Sequence, residues 1–410
     1  MSKSALEYTV IAKCSRTRAR AGVLRLRQTN TTSDEPNFLP DPVLTPVFMP
    51  VGTNGTMKGI LPEQIEATGC RLMLSNTYHL GIRPGVEVIK NAGGLHKFMR
   101  WSHGLLTDSG GFQMVSLSSL MEISEEGAVF TSPYNKGQTI QLPPEESVRI
   151  QHGLGSNIVM QLDDVISSTA NDDKRYEEAV NRSVRWLDRC IEAHKPREHA
   201  QNLFPIIQGG LNVELREKCV KEMVERDTPG IAIGGLSGGE EKMKFIEMVA
   251  VSTRDLPPSK PRYLMGVGAA VDLLLCVALG VDMFDCVFPT RTARFGCALV
   301  GWGQELKIKA KAFKTDTRIL DDQCDCVTCT KRYSRAYLNY LMKNGNEVGC
   351  HLLTQHNIRF QMRFMAAIRD AIISDTLVDH MKLVLDSNYD SKDKYPDFAL
   401  KTFNLLNIEL

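Results

Sequence analysis

The sequence lacks the features that mark a membrane protein, a secreted protein or a strongly basic nucleic-acid-binding protein. No apolar run approaches the roughly 20 residues that a transmembrane helix requires. The N-terminus has no apolar segment of the kind found in signal peptides. Net charge is only +1 over 410 residues, so any evidence for nucleic-acid binding must be local. We therefore expect a soluble cytosolic protein.

The chain contains 11 cysteines, and in a reducing compartment closely spaced cysteines indicate metal binding more often than disulfides. Cys324, Cys326 and Cys329 lie close enough in sequence to wrap one ion. Zn²⁺ favours four Cys or His ligands, and a site filled by protein leaves no position for water, so we predict a structural zinc. The candidates for the fourth ligand are Cys350, His351 and His356.

Eight short apolar runs recur along the chain, and each ends in glycine or polar residues. Their continuous apolar character is typical of parallel strands buried on both faces. The count of eight, the chain length and the intervening helical patterns favour a TIM (β/α)8 barrel over an open doubly wound sheet. Helices are predicted at residues 143–154, 172–194, 213–226 and 271–279. The eight runs are residues 45–52, 71–75, 105–108, 158–163, 203–208, 230–234, 262–266 and 283–288.

Two further segments interrupt the alternation. Residues 28–42 are rich in Thr, Asn, Asp and Pro and predict a loop before the first barrel strand. Residues 301–356 hold the cysteine cluster and predict an insertion after the eighth strand, and a helical stripe from Asn357 onward predicts the eighth helix. The predicted domains are a catalytic barrel, residues 1–300 and 357–410, and a zinc-binding insertion, residues 301–356.

Two carboxylates occupy equivalent points in the predicted barrel. Asp108 ends the third run, and Asp285 lies in the eighth run shortly before Pro289. Barrel enzymes place their catalytic groups at these strand ends, where a carboxylate can act as nucleophile or proton acceptor. Arg291 and Arg294 follow in a predicted loop and are candidates for phosphate or base contacts. The arrangement indicates glycosidic chemistry on a nucleic acid.

Further basic residues follow the two arginines. Lys307, Lys309 and Lys311 alternate with apolar residues, which predicts one face of a strand. A solvated sheet surface would explain these lysines taken alone. Next to Arg291, Arg294 and a metal site, they favour a surface that follows phosphates.

Several motifs together resemble the tRNA-guanine transglycosylase family, in its eukaryotic, queuine-inserting, catalytic form, over nearly the whole chain. The resemblance implies an irregular TIM barrel with a zinc-binding, tRNA-contacting subdomain inserted after the eighth strand, and it implies His356 as the fourth zinc ligand. The motifs are Asn76-Thr-Tyr-His79, Asp108-Ser-Gly-Gly-Phe-Gln113, Ile207-Gln-Gly-Gly210, Gly234-Gly-Leu236, Tyr263-Leu-Met-Gly266, Phe284-Asp-Cys-Val-Phe-Pro-Thr-Arg291, the cysteine cluster and Thr354-Gln-His-Asn357.

The chemistry that the resemblance implies is base exchange at the wobble position of tRNAs with a G-U-N anticodon, those for Asp, Asn, His and Tyr. Queuine would replace guanine without strand cleavage. Asp285 matches the family's nucleophile, which forms a covalent ester with the ribose, and Asp108 matches its general acid/base. The only implied cofactor is the structural Zn²⁺.

The resemblance also implies a pocket that reads the base by hydrogen bonds along its edge and by stacking. Asp163 would accept from the ring N–H and the amine. Gln208 and the Gly235 N–H would face the carbonyl oxygen, and Phe112 and Met265 would enclose the ring. The implied substrate-binding residues are Asp108, Ser109, Gly110, Gly111, Phe112, Asp163, Gln208, Gly235 and Met265. The implied RNA-binding residues are Gly266, Val267, Gly268, Thr290, Arg291, Thr292, Ala293 and Arg294.

Two positions depart from the bacterial members of this family. Gly238 stands where those members carry valine, and Val165 stands where they carry cysteine. A glycine at position 238 would enlarge the pocket on the side of the cyclopentenediol of queuine. The resemblance therefore favours queuine over a smaller precursor base.

The resemblance further implies a heterodimer with a non-catalytic homologous accessory subunit, in the cytoplasm or at the surface of the mitochondrial outer membrane. Three alternatives compete with this interpretation. The non-catalytic homologue itself should lack the paired aspartates. An RNA-binding zinc protein without chemistry leaves Asp108 and Asp285 unexplained. A metal-dependent barrel hydrolase needs His and carboxylate ligands at strand ends, where only His79 lies near one.

Overall fold

The computed structural model describes residues 5–29, 37–111, 121–131, 139–170 and 172–409. A ring of parallel strands forms its centre, and the eighth strand pairs with the first, Met283 opposite Val47. The predicted TIM barrel is therefore confirmed. Its strands are Val47–Gly52, Leu72–Ser75, Gly104–Thr107, Ile158–Met160, Asn202–Phe204 continued by Ile206–Ile207, Ile231–Ile233, Arg262–Leu264 and Met283–Cys286.

Pro205 interrupts the fifth strand, because proline has no N–H to donate to a neighbouring strand. The carbonyl of Pro205 still accepts a hydrogen bond from Ala232 N at 2.9 Å. On the other side, Oε1 of Gln161 accepts from Ile206 N at 2.9 Å, in place of a backbone carbonyl. The ring thus consists of eight strands with one irregular point, which explains why nine segments appear in the sheet.

Both faces of the barrel strands are buried, as the apolar runs predicted. Leu72 and Leu74 belong to the cluster inside the barrel, whereas Met73 belongs to the cluster between strands and helices. The described helices of six residues or more are Pro62–Ala67, Val86–Asn91, Pro144–Leu154, Asp173–His194, Val213–Glu225, Lys242–Arg254, Ala270–Ala278, Phe288–Phe295, Arg335–Lys343, Glu347–Ile373, Leu377–Asn388 and Asp397–Leu405.

A three-stranded antiparallel sheet, not predicted from the sequence, closes the amino end of the barrel. Its strands are Leu6–Lys13, Arg20–Leu26 and Val43–Thr45. Arg20 binds the carboxylate of Asp282, just before the eighth strand, with Nη2 at 2.6 Å from Oδ2 and Nε at 2.9 Å from Oδ1. Since this end is plugged, the opposite end, where Asp108 and Asp285 lie, is the open mouth.

Three predicted segments differ in the structure. The eighth helix begins at Glu347 rather than at Asn357, so the predicted domain boundary falls inside a continuous helix and the domain division stays a prediction. The lysine strand Gln304–Lys307 ends in a turn in which Ala310 N donates to the Lys307 carbonyl at 2.8 Å, so Lys309 and Lys311 lie beyond the strand. Arg291 and Arg294 lie on the helix Phe288–Phe295 rather than in a loop.

The structure also contains two small antiparallel sheets. One sheet contains Met121–Ile123, Ala128–Thr131 and Thr139–Leu142, and the other pairs Cys297–Val300 with Gln304–Lys307. Among the described residues, no helix has both the length and the apolar composition needed to span a bilayer.

Candidate active site and metal centre

Asp285 lies within the last barrel strand and is bound through one oxygen. The hydroxyl of Tyr263 donates to Oδ1 at 2.6 Å, and the backbone N–H of Gly266 donates to the same oxygen at 3.0 Å. Burial raises the pKa of Asp285, and these two hydrogen bonds oppose that shift by favouring the ionised form. The site therefore holds a poorly solvated carboxylate in a fixed orientation.

Asp108 follows the third barrel strand and is buried. Thr77 N donates to its Oδ1 at 2.8 Å, and Asn76 Nδ2 donates to its Oδ2. Both Asp108 and Asp285 contribute to raising the pKa of the Tyr263 hydroxyl, after burial itself. Asp285 binds the Tyr263 hydroxyl and Asp108 is close enough to act on it electrostatically, so the two carboxylates lie in one mouth.

Asp163 forms the second part of the site, beside Gln208 and Ser109. Gln208 Nε2 donates to Asp163 Oδ2 at 2.6 Å, and Ser109 Oγ donates to Oδ1 at 3.4 Å. Burial raises the pKa of Asp163 to about 7, with the neighbouring Asp164 adding to the shift. Asp164 itself turns away from the mouth and binds Arg175 and Arg182.

Several positions in the loops at the mouth require glycine. Gly235 has φ +66°, and a Cβ there would lie 2.3 Å from Oε1 of Gln208. A Cβ at Gly111 would lie 3.4 Å from Oδ1 of Asp163, so the loop after Asp108 approaches Asp163 closely. Gly110 has φ +86°. Met265 follows the seventh strand beside Gly234, and Phe112 lies outside the described residues.

The predicted RNA-binding residues form two groups. Gly266, Val267 and Gly268 follow the seventh strand, and Gln361 Nε2 donates to the Gly268 carbonyl at 2.6 Å. In the helix Phe288–Phe295, Thr290 and Ala293 are buried, so their side chains support the helix. Of the other predicted residues in this helix, Arg291 is exposed, whereas Thr292 and Arg294 are half-buried.

The predicted metal ligands lie together. Cys324, Cys326, Cys329 and His356 are buried, and their ligand atoms all lie within 4.8 Å of one another. His356 Nε2 donates to the carbonyl of Leu299 at 2.7 Å, which leaves Nδ1 as the ligand atom. Nδ1 lies 3.5 Å from Cys326 Sγ and 3.4 Å from Cys329 Sγ. This group could hold one metal ion.

The other two candidates for the fourth ligand point elsewhere. A Cβ at Gly59 would lie 2.2 Å from Nε2 of His351, so that ring packs on the Gly59 backbone. Cys350 Sγ lies 3.9 Å from the carbonyl of Arg294. Neither belongs to the described group of potential ligands.

The sequence interpretation assigned no role to several residues that shape the site. Tyr263, Asn76 and Thr77 lie within the motifs, but nothing in their spacing shows that they bind Asp285 and Asp108. For Arg216, the sequence pattern does indicate an unusual residue. It shares the apolar stripe of its helix with Cys219, Val220 and Met223, where a charged residue is unusual.

Comparison with known proteins identifies relatives over most of the chain. A family model described as queuine tRNA-ribosyltransferase matches residues 14–390. The chain is 50% identical to the queuine tRNA-ribosyltransferase catalytic subunit of Schizosaccharomyces pombe over 413 residues, covering 99% of this chain and 98% of the relative. It is 54% identical to the subunit of the same description from Caenorhabditis elegans over 348 residues, 85% of each. It is 44% identical to the queuine tRNA-ribosyltransferase of Synechococcus elongatus over 378 residues, 92% of this chain and 94% of the relative.

Proposed function

Because this chain belongs to the queuine tRNA-ribosyltransferase family, we propose that it replaces guanine by queuine in tRNA through a covalent intermediate on Asp285. The base exchange itself follows from the family. The observation that supports the covalent route is that Asp285 and Asp108 share one mouth, where Asp285 binds the Tyr263 hydroxyl and Asp108 acts on it electrostatically. Two carboxylates flanking a glycosidic bond are the minimum for two displacements with retention.

The first displacement forms the bond between an Asp285 oxygen and C1′ of the target ribose while the bond from C1′ to guanine breaks. Asp108 supplies a proton to the departing base. In the second displacement Asp108 takes a proton from the incoming base, whose ring nitrogen attacks C1′ and releases Asp285. The phosphodiester backbone remains intact, and the two displacements require no redox partner or nucleotide cofactor.

Asp163, Gln208 and Gly235 recognise the edge of the base. The Asp163 carboxylate accepts from the ring N–H and the amine, and its place beside Gln208 supports this assignment. Burial strengthens these hydrogen bonds relative to water. A base that lacks the amine would leave the buried carboxylate partly unpaired, which explains a strong preference for guanine-like bases.

The metal is a structural zinc. Three thiolates and one imidazole match the ligands that Zn²⁺ prefers, and all four come from the protein, so no position remains for a reacting water. The zinc joins the segment around Cys324 to the long helix Glu347–Ile373. Its contribution is to folding of this part of the chain, beside the basic residues that would follow the tRNA backbone.

The substrate and the partner follow from the family and from local charge. The acceptors are tRNAs with a G-U-N anticodon, bound by Arg291, Arg294 and the exposed lysines after them. The description of the relatives as catalytic subunits supports an accessory subunit, here a non-catalytic homologue. The working location is the cytoplasm, including the surface of the mitochondrial outer membrane.

A base-exchange assay tests the function directly. Wild-type chain, with and without the accessory homologue, is incubated with unmodified tRNA and labelled guanine or with queuine, and the tRNA is analysed by mass spectrometry. Incorporation at the wobble position is expected, and Asp285→Asn should remove it. Binding of tRNA without any incorporation, even with the homologue, would favour the RNA-binding zinc protein instead.

A further inference from the structure

Arg216 is a fully buried arginine in the first turn of the helix Val213–Glu225. Burial lowers the pKa of its guanidinium to about 10, so it stays charged at neutral pH. A buried charge is costly unless hydrogen bonds replace its lost hydration. The contacts that compensate this cost therefore show what the residue does.

The hydrogen bonds that Arg216 donates among the described residues all reach neutral oxygens. Nε donates to the carbonyl of Gly210 at 2.7 Å, and Nη2 donates to the carbonyls of Gly234 at 3.0 Å and Gly235 at 3.4 Å. Nη1 donates to the hydroxyl of Ser252 at 3.3 Å. One guanidinium thus connects the loop after the fifth barrel strand with the loop after the sixth.

The contact with Gly234 decides where the next N–H points. In a trans peptide the C=O of one residue and the N–H of the next lie in one plane and point in opposite directions. Arg216 lies in the helix layer, so with the Gly234 carbonyl bound to it, the Gly235 N–H points towards the mouth, where Gln208 and Asp163 lie. Among the described residues, this N–H makes no hydrogen bond.

We propose that Arg216 is a positioning residue for base recognition, which fixes the Gly235 N–H as the donor to the carbonyl oxygen of the base by holding the Gly234 carbonyl. The inference rests on the proposed function and adds a residue that does not touch the base. Gly234 and Gly235 are adjacent glycines, which leaves their shared peptide free to rotate unless an outside group holds it. Arg216 is that group.

The test compares Arg216→Met with wild type, because methionine fills similar space without donors. Three purines are used as competitors in the guanine exchange assay. Guanine is the reference, 6-thioguanine has a poor acceptor where guanine has its carbonyl oxygen, and hypoxanthine lacks the amine that Asp163 binds. Wild type should bind 6-thioguanine more weakly than guanine by roughly tenfold, the effect of one hydrogen bond.

In Arg216→Met the ratio between 6-thioguanine and guanine should fall to about threefold or less, because only Gln208 then faces the carbonyl oxygen, while the ratio between hypoxanthine and guanine is kept. Ser252→Ala, which removes only the hydroxyl partner of Arg216, should keep both wild-type ratios. Arg216→Lys should lie between Met and wild type, and it replaces Met if that variant does not fold.

An unchanged 6-thioguanine ratio in a folded variant would overturn the inference. Loss of discrimination against both 6-thioguanine and hypoxanthine would also overturn it, because that result indicates a general collapse of the pocket. Failure of wild type to exchange guanine at all is a different outcome, and it refutes the proposed function instead.

Discussion

Tyr263 and Gly266 bind the same oxygen of Asp285, Oδ1, at 2.6 and 3.0 Å. Oδ2 is therefore the oxygen that we assign to attack on the ribose. Both donors favour the ionised carboxylate, in opposition to the burial that raises its pKa. The pair thus favours the ionised nucleophile that the proposed attack requires.

Asp285→Asn should abolish the denaturation-resistant adduct between protein and tRNA, because the amide has similar shape but is not a nucleophile. Tyr263→Phe should keep the adduct and move its formation to higher pH. Loss of the tyrosine hydrogen bond raises the pKa of Asp285 further, so more alkaline solution is needed to ionise it. The rate of adduct formation, measured on denaturing gels as a function of pH, checks the predictions for both variants. Wild-type adduct yield from Asp285→Asn would exclude it as the nucleophile.

The affinity for guanine should rise with pH around neutrality. Burial raises the pKa of Asp163 from 3.8 to about 7, and only its ionised form can accept from both donors of the base. The KM for guanine should therefore fall by roughly tenfold between pH 6 and pH 8, as the carboxylate loses its proton. Asp163→Asn should bind guanine weakly without this slope.

Ionisation of Asp163 also affects the stability of the fold, and here rising pH is unfavourable rather than favourable. The pKa of Asp163 is higher in the folded protein than in the unfolded chain. Between pH 3.8 and about 7 the folded protein without bound base therefore holds more protons than the unfolded chain. The contribution of Asp163 to the free energy of unfolding is thus lost as pH rises through that range. Asp163→Asn should gain Tm relative to wild type at pH 8 but not at pH 4. Equal differences at both pH values would contradict the buried state of this carboxylate.

The barrel and its open mouth were predictable because strands buried on both faces leave continuous apolar runs, and because parallel strands bring their carboxyl ends together. Asp108 and Asp285, far apart in sequence, could be assigned to one site on that basis. The N-terminal sheet could not, since its first strand, Leu6–Lys13, is largely exposed and the role of the sheet depends on the contact of Arg20 with Asp282. The role of Arg216 could not be predicted from the sequence for a similar reason. Apart from the Ser252 hydroxyl, its partners are backbone carbonyls, which a sequence does not specify.

Zinc should be bound at about one ion per chain, as a Cys3His site holds a single ion. Cys326→Ala should lower zinc content and Tm together, because binding energy is folding energy at such a site. His356→Ala should lose zinc, whereas His351→Ala and Cys350→Ser serve as matched controls that keep it. Metal analysis with thermal melts checks this. Zinc loss from His351→Ala with retention in His356→Ala would show a wrong fourth ligand.

Gly238→Val should impair queuine insertion far more than guanine exchange, because of the two bases only the larger one would meet the added bulk. A Cβ at Gly238 would lie 2.6 Å from Oγ of Ser168, which binds Glu240. Part of any loss could therefore come from displacement of Ser168. The double variant Gly238→Val with Ser168→Ala removes that collision and should keep the selective loss of queuine. Equal losses for both bases would place the pocket wall elsewhere.

The accessory homologue should raise activity steeply, and the gain should weaken with salt. The barrel mouth holds one base, and the exposed basic residues around it, such as Arg291, Lys307, Lys309 and Lys311, are few for a ligand with so many phosphates. A second subunit would extend this surface along the anticodon stem, with one tRNA per dimer. Titration of the homologue at nanomolar enzyme and several salt concentrations, with Arg291→Gln as a variant of the local surface, measures the effect. Full activity of the isolated chain, unaffected by the homologue at every salt concentration, would show that the barrel and its zinc segment bind tRNA unaided.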